Sequence, residues 1–153
     1  MSRKGIWFLN TLVHIRVSQQ DGKDGISVLE HRAPYADSPP LHIHHWEDEI
    51  FHVLEGEIRY QIGDAVQTFG PGATLLVPKG TPHTYRVESR SGGRWLTITA
   101  HGDFEQFVRA LGREAEREEL PPQADRPSSE MVGRLALEAR RFRIELVGPP
   151  LES

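Results

Sequence analysis

The feature that most restricts the fold is a pair of histidines one residue apart, His42 and His44, followed by Glu49 and, beyond two glycine-marked turns, by His83. In an extended strand, side chains two positions apart lie on the same side, so both histidines of the pair can reach one metal ion. A helix would instead place such ligands three or four residues apart. Nitrogen and oxygen donors in this mixture suit a divalent transition metal: Fe, Mn, Ni, Co, Cu or Zn. The pattern therefore predicts a metal site on a β scaffold.

The surrounding sequence is typical of an all-β domain. From residue 5 to residue 100, short alternating segments are separated by Gly, Pro and Asp turns roughly every ten residues, which indicates a sandwich or a barrel. Residues 49–54 and 57–62 flank Glu55-Gly56, and we expect these two segments to form a hairpin. No segment repeats another, so one barrel is expected.

After residue 101 the pattern becomes helical. Asp103 and Gln106 have the spacing of a capping box, and apolar residues at helical intervals predict a helix that ends at Gly112. The charged residues 113–119 are interpreted as a solvated helix end. A second helix is predicted from Ser129 to about Arg141, followed by a short strand. We expect a single domain, with a barrel over 1–101 and a helical extension over 102–153 packed on it.

Composition excludes several classes of function. The 153 residues carry 18 basic and 22 acidic side chains without a basic stripe, so nucleic acid is not an expected partner. The absence of cysteine excludes disulfides, thiolate ligands and a cysteine nucleophile. No apolar run approaches the about 18 residues of a membrane span, and the N-terminus lacks the apolar stretch of a secretory signal. A cytoplasmic protein with a small-molecule partner is the resulting expectation.

The two histidine segments resemble the two motifs of the cupins, a family of small β-barrels. Those motifs read G-x5-H-x-H-x3–4-E-x6-G and G-x5-P-x-G-x2-H-x3-N. This chain departs from them twice, with Ala36 in place of the opening glycine and Val87 in place of the closing asparagine. Neither departure is a ligand position. The matching residues are His42, His44, Glu49, Gly56, Gly72, Pro78, Gly80 and His83.

The resemblance implies a fold and a ligand set. The fold is a mainly β, antiparallel jelly-roll barrel, here with one or two C-terminal helices. The metal ligands are His42, His44, Glu49 and His83. Glu49 is preferred over its neighbours Glu47 and Asp48 because it fits the motif and shares strand parity with inward residues; the other two are interpreted as solvated turn residues. Three neutral histidines and one carboxylate leave a divalent ion with open coordination positions, as in catalytic rather than structural sites.

The remaining histidines are not expected to bind the metal. His45 alternates away from the ligands and is interpreted as a surface residue, with support of a ligand from outside as the alternative. His14 is interpreted as a satisfied core or rim residue, although it could reach the pocket. His31, His52 and His101 are taken as structural.

Strand parity also predicts a pocket wall. Phe51 and Val53 follow Glu49, and Tyr85 follows His83, so these side chains should face the same interior, with Tyr60 of the next strand beside them. The alternative is that these residues only fill the barrel. An aromatic pocket around an open metal favours a flat or hydrophobic organic substrate.

The motif region and the following segment Gly102-Asp103-Phe104-Glu105-Gln106-Phe107 resemble the quercetinase-type cupins. This resemblance implies a dioxygenase that acts with O2 on a flavonol-like or aromatic polyketide-like compound. Glu49 would then be both ligand and catalytic base. Two alternatives use the same scaffold: a non-oxidative cyclase, isomerase, lyase or decarboxylase with the metal as Lewis acid, and a non-catalytic binding module. Self-association as a homodimer is a further implication of the resemblance.

Overall fold

The computed structural model describes residues 3–124 and 126–153; Met1 and Ser2 of the N-terminal segment and Asp125 of the loop before the second predicted helix lie outside this part. The described chain is mainly antiparallel β-structure with two helices near its C-terminal end, as the sequence predicts. The elements are β1 (Ile6–Phe8), β2 (Thr11–Val17), β3 (Ser27–Ala33), β4 (Leu41–His44), β5 (Glu49–Glu55), β6 (Ile58–Ile62), β7 (Ala65–Phe69), β8 (Thr74–Val77), β9 (His83–Val87), β10 (Gly93–Thr99), α1 (Asp103–Leu111), β11 (Arg113–Glu114), α2 (Ser129–Arg140) and β12 (Ile144–Gly148).

The strands form two antiparallel sheets. One has the order β11-β1-β2-β3-β10-β5-β8 and the other the order β12-β4-β9-β6-β7. Buried apolar side chains from both sheets share one core, so the sheets pack face to face. The jelly-roll prediction is confirmed with one difference: within the described residues, hydrogen bonding does not close the two sheets into a single barrel.

The predicted hairpin between β5 and β6 is wrong. β5 pairs with β10 and β8, whereas β6 pairs with β7 and β9 in the other sheet. The chain crosses between the sheets at Gly56, whose φ of 83° lies in the left-handed region that favours glycine. A Cβ at this position would lie 2.5 Å from the carbonyl oxygen of Gly92. Close approach of two backbones therefore directs the chain into the second sheet.

Alternation along β5 places its odd-numbered residues inside, as predicted. Glu49, Phe51 and Val53 are buried, whereas Ile50 and His52 are only partly so. Thr99, Thr97 and Trp95 of β10 lie directly across from Glu49, Phe51 and Val53. The inner face of this sheet thus carries a carboxylate at one end and apolar side chains at the other.

Helix α1 covers the inner face at β1, β2 and β3, where Phe107 and Val108 join a second buried cluster with Val13 and Leu29. The predicted capping box is wrong, because the N-cap is Gly102 and no side chain of the helix caps its end. Asp103 instead accepts hydrogen bonds from Arg143 at 3.0 and 3.1 Å.

The charged segment after α1 is not a helix end. The helix stops at Leu111, and Arg113–Glu114 pairs as β11 with β1. Farther on, α2 begins after its N-cap Ser128, and β12 pairs with the ligand-bearing strand β4. The division of the chain at residue 101 stays a prediction. No helix in the described ranges is long and apolar enough to cross a membrane.

Candidate metal centre

The fold brings the three histidines among the four predicted ligands into one cluster, and the fourth ligand, Glu49, lies beside them. One nitrogen from each of His42, His44 and His83 lies within 4.8 Å of the other two. The first two side chains project from the same face of β4, and His42 lies directly across from His83 of β9 in the strand register. His44 and His83 are buried, whereas His42 is partly exposed.

Backbone carbonyls fix the rings of two of these histidines. Nδ1 of His42 lies 2.7 Å from the carbonyl oxygen of Pro40, and Nδ1 of His83 lies 2.9 Å from that of Thr81. A carbonyl only accepts, so both Nδ1 atoms carry a proton and donate it. Each Nε2 is then the nitrogen left to bind a metal ion.

Glu49 is the fourth member of the cluster. It is buried at the start of β5, and its two carboxylate oxygens face different histidines: Oε1 lies 3.2 Å from His44 Nε2 and Oε2 lies 2.8 Å from His83 Nε2. Both oxygens therefore point to the metal-facing nitrogens rather than to solvent.

The charge of Glu49 is stabilised by the histidines. Burial by itself would raise the pKa of Glu49, but the positive charges that His44, His83 and His42 can carry and the hydrogen bond from His83 outweigh burial and lower it to about 2. Burial likewise opposes protonation of His83, and the bond to Glu49 outweighs burial, so the pKa of His83 is raised. A divalent ion bound here would replace that His83 Nε2 proton, which makes binding proton-linked.

These residues fit a divalent transition metal. Three imidazole nitrogens and one carboxylate form the donor set that such ions accept, and two of the three rings are already held with Nε2 inward. A Zn, Fe or similar ion needs donors at about 2.0–2.2 Å. Ligand nitrogens within 4.8 Å of one another are compatible with contact to one central ion.

Of the two rejected carboxylates, Asp48 is exposed in the loop between β4 and β5, whereas the interpretation of Glu47 as a solvated residue is wrong. Asp48 is exposed and accepts a hydrogen bond from the backbone N–H of Lys79 at 2.8 Å. Glu47 is only 1% exposed. Its Oε1 accepts the backbone N–H of Phe104 at 2.6 Å. Helix α1 therefore buries a residue that local sequence had placed in solvent.

The other histidines lie outside the cluster. His45 is exposed and pairs with Glu145, as the surface interpretation requires. His14 contacts Glu118 at the rim, and His52 hydrogen-bonds with Thr74 on the outer side of β5. The ring of His101 lies 5.8 Å from that of Trp46.

His31 is the most deeply buried of the three histidines that were interpreted as structural, and its surroundings agree with that interpretation. It is 4% exposed and its ring stacks on Trp95 at 5.2 Å and on Phe104 at 5.8 Å. Burial lowers the pKa of His31 to about 4, against a smaller opposite effect of Glu49 and Glu30. Its buried Nε2 finds no hydrogen-bond partner in the described part of the chain. This imidazole is thus neutral at ordinary pH.

The four predicted pocket residues form one continuous group beside the cluster. Phe51 lies 6.2 Å from the ring of His83 and 5.2 Å from that of Tyr60, and Tyr60 lies 6.0 Å from Tyr85. Val53 is fully buried in the same core. Contact with a substrate stays a prediction for all four, because the same side chains also fill the space between the sheets.

Sequence reasoning missed two further residues of this interior. Trp95 lies 4.8 Å from Tyr85, and strand parity along β10 could have found it. Asp37, in the loop before β4, accepts a hydrogen bond from the Tyr85 hydroxyl at 3.2 Å. Burial raises the pKa of Asp37 to about 6, although this hydrogen bond acts in the opposite direction. A loop carboxylate of this kind gave no recognisable signal in the sequence.

Comparison with known proteins agrees with the geometry. The cupin domain family model matches residues 28–99, which include all four predicted ligands. Quercetin 2,3-dioxygenase of Bacillus subtilis (strain 168) is 34% identical over 116 residues, covering 73% of this chain and 34% of that protein. The chain thus spans about a third of that relative's length.

Solved structures show the same fold. The polyketide cyclase RemF from Streptomyces resistomycificus superposes with a TM-score of 0.55 and 23% identity, over 88% of this chain and 84% of that one. A predicted oxalate decarboxylase from Thermotoga maritima superposes with a TM-score of 0.58 and 16% identity, over 65% of this chain and 97% of that one. With its matching domain, its two-sheet fold and its relative among the quercetin dioxygenases, the chain belongs to the cupin superfamily.

Proposed function

We propose that this chain is a mononuclear metal-dependent enzyme, and most concretely a dioxygenase that acts on a flavonol-like or aromatic polyketide-like compound. The observation that carries the proposal is the convergence of His42, His44, His83 and Glu49 on one point beside an aromatic interior. The sequence similarity to a quercetin 2,3-dioxygenase supports the oxidative version.

Each residue has a defined part in this proposal. His42, His44, His83 and Glu49 hold the ion. A bound divalent ion would act as a Lewis acid that lowers the pKa of a substrate hydroxyl. Glu49, as a ligand of that ion, would lie beside the bound hydroxyl and would accept the proton that the hydroxyl loses. Phe51, Val53, Tyr60 and Tyr85 would contact the flat face of the substrate.

Oxygen is the co-reactant that the dioxygenase version requires. One O2 is consumed for each substrate molecule, both oxygen atoms end in the product, and the substrate supplies the electrons. No separate reductant is needed. The proposal therefore predicts a one-to-one ratio between O2 uptake and loss of substrate.

Metal content and O2 uptake test the proposal together. Protein purified without a tag and loaded in turn with Fe, Mn, Ni, Co, Cu and Zn is analysed by plasma emission, and O2 uptake is followed with quercetin as the probe. About one equivalent of metal, lost in a His42→Ala, His83→Ala double variant, together with stoichiometric O2 uptake supports the dioxygenase. His52→Ala on the outer side of β5 is the control variant.

Two other results would replace the proposal. Conversion of an enolic or polyketide-like probe by the zinc form under strict anaerobiosis would favour a non-oxidative cyclase, isomerase or lyase, an activity for which the same ligands are suited. Less than about 0.1 equivalent of every metal after loading would leave a metal-free binding protein.

A further inference from the structure

His44 differs from the other two histidines in how its ring is held. The Nδ1 atoms of His42 and His83 donate to carbonyl oxygens two residues earlier in the chain. Nδ1 of His44 is buried and has no hydrogen-bond partner among the described residues. The acceptor that faces it is Oε1 of Glu47, at 3.9 Å. One ligand of the proposed centre therefore lacks the local support that the other two have.

Glu47 is a buried carboxylate with unused capacity. Its side chain is 0% exposed. Oε1 accepts the backbone N–H of Phe104, and Oε2 has no partner in the part of the chain that the structure describes. A buried carboxylate with so few hydrogen bonds is costly, and a nearby N–H donor would reduce that cost. His44, whose Nδ1 lies 3.9 Å from Glu47 Oε1, can supply such a donor.

Helix α1 holds this carboxylate in place. The backbone N–H of Phe104 lies in the first turn of α1, where donors are free and a negative charge is favoured. The Phe104 ring also packs edge-on against His44, with centroids 5.6 Å apart. Asp103 is engaged with Arg143, so it does not compete for this end of the helix. The helix therefore contacts both Glu47 and His44.

We propose that Glu47 is a positioning residue that accepts the Nδ1–H of His44 when His44 Nε2 binds the metal ion. This inference rests on the proposed metal centre. A neutral histidine that binds through Nε2 carries its proton on Nδ1, and in this buried position the proton needs an acceptor. The separation of 3.9 Å must shorten by roughly 1 Å for this hydrogen bond to form. Helix α1 thereby supports one of the metal ligands.

The test compares Glu47→Gln with Asp48→Asn. Both variants replace a carboxylate that accepts a backbone N–H by a neutral amide that can still accept it; Glu47 is buried beside His44, whereas Asp48 is exposed and makes no contact with that ring. The dissociation constant of Co²⁺ is measured by competition with a chelator, and its visible absorption spectrum is recorded. Glu47→Gln is expected to weaken Co²⁺ binding about 10- to 100-fold, and Asp48→Asn by less than about twofold.

A second measurement uses the unaltered protein and does not depend on how well a variant folds. In the zinc form, long-range ¹H–¹⁵N spectra report the His44 Nδ1 proton. The proposal expects a downfield, slowly exchanging proton. Equal Co²⁺ affinity in wild type and Glu47→Gln, or a His44 Nδ1 proton that exchanges rapidly, overturns the role of Glu47 alone. Absence of Co²⁺ binding to the wild-type protein overturns the metal centre as well.

Discussion

His42 and His83 are oriented by their own neighbours in the chain, whereas His44 faces a carboxylate held by helix α1, which lies beyond both motifs. The first two rings donate to the carbonyls of Pro40 and Thr81. The third lies against Glu47 and Phe104. The candidate centre thus has two locally built supports and one that exists only after the C-terminal part has folded onto the sheets.

This difference separates what a short motif specifies from what the whole chain must supply. The motif contains both the ligand and its supporting carbonyl for His42 and His83, so a segment of a few residues already carries the correct ring orientation. The surroundings of His44 depend on α1, which lies beyond both motifs. The predictions that follow separate the local supports from the remote one.

The largest expected effect comes from removing ligands that have local support. The double variant His42→Ala, His83→Ala should weaken Co²⁺ binding by more than about 100-fold, because losing a ligand costs more than losing the partner that orients it. The measurement is metal content by plasma emission after loading and desalting. His52→Ala, which changes a histidine on the outer side of β5, should retain about one equivalent. If the double variant retained as much metal as the wild type, His42 and His83 would not be ligands, and the comparison of their supports with that of His44 would have no meaning.

His31 contacts Phe104, as His44 does, but His31 is not a predicted ligand. Replacing it should change the free energy of unfolding and leave metal affinity unchanged. Its pKa is about 4 in the folded protein and 6.5 in the unfolded chain. The unfolded chain therefore binds this proton first, so the contribution of His31 to the free energy of unfolding is complete above pH 6.5. It falls as the pH drops toward 4, by at most about 3 kcal/mol.

Urea unfolding between pH 7 and pH 4 checks this prediction. His31→Phe keeps a ring between Trp95 and Phe104 and should give a shallower loss of stability with acid than the wild type. His52→Phe should keep the wild-type slope. The Co²⁺ affinity of His31→Phe at pH 7 should equal that of the wild type. This result would show that a residue can contact Phe104 without influencing metal binding.

Two phenylalanines of α1 test whether the helix reaches the centre through His44 in particular. Phe104→Ala and Phe107→Ala should each lower the free energy of unfolding, by about 2 and 3 kcal/mol respectively, since Phe107 is the more deeply buried. Only Phe104 contacts the His44 ring, so Phe104→Ala should also weaken Co²⁺ binding, by about threefold, whereas Phe107→Ala should not. Chemical unfolding and chelator competition give the two quantities. Equal affinity losses would indicate a general effect of helix packing.

The smallest effect is expected at the first motif's opening turn. Ala36 has a φ of 69°, the left-handed conformation in which glycine carries no Cβ penalty. Ala36→Gly, which restores the family residue, should therefore stabilise the fold by about 0.5–1 kcal/mol and leave metal affinity unchanged. Thermal unfolding with Ala73→Gly as a control measures it. A destabilised Ala36→Gly protein would show that the alanine side chain makes a compensating contact.

The sequence predicted the parts of the site that follow from strand geometry. Parity placed Glu49, Phe51 and Val53 on the inner face, because alternation along a strand needs no information from elsewhere. The spacing of the second motif similarly brought His83 to the histidine pair. Both predictions required only local geometry and a β scaffold.

The failures occurred where tertiary contacts decide. Glu47 was interpreted as solvated because nothing within its own turn indicates that the first turn of α1 covers it. The capping box failed because Gly102 occupies the N-cap position and a carboxylate from another part of the chain accepts a helix N–H. The hairpin failed because Gly56 connects strands of different sheets. Local patterns do not report which distant groups share a buried space.

The pairing of β12 with β4 has a consequence for how the protein is made. The strand that carries His42 and His44 has β12 as its neighbour on one edge, with Ile144 opposite His44. During synthesis, about one hundred residues separate these partners, a delay on the order of 5–20 s at usual translation rates. Until then the histidine-bearing strand has one open edge, and the helical support of His44 does not yet exist. Loading of the correct ion is therefore expected to follow completion of the C-terminal segment rather than to guide the early folding of the sheets.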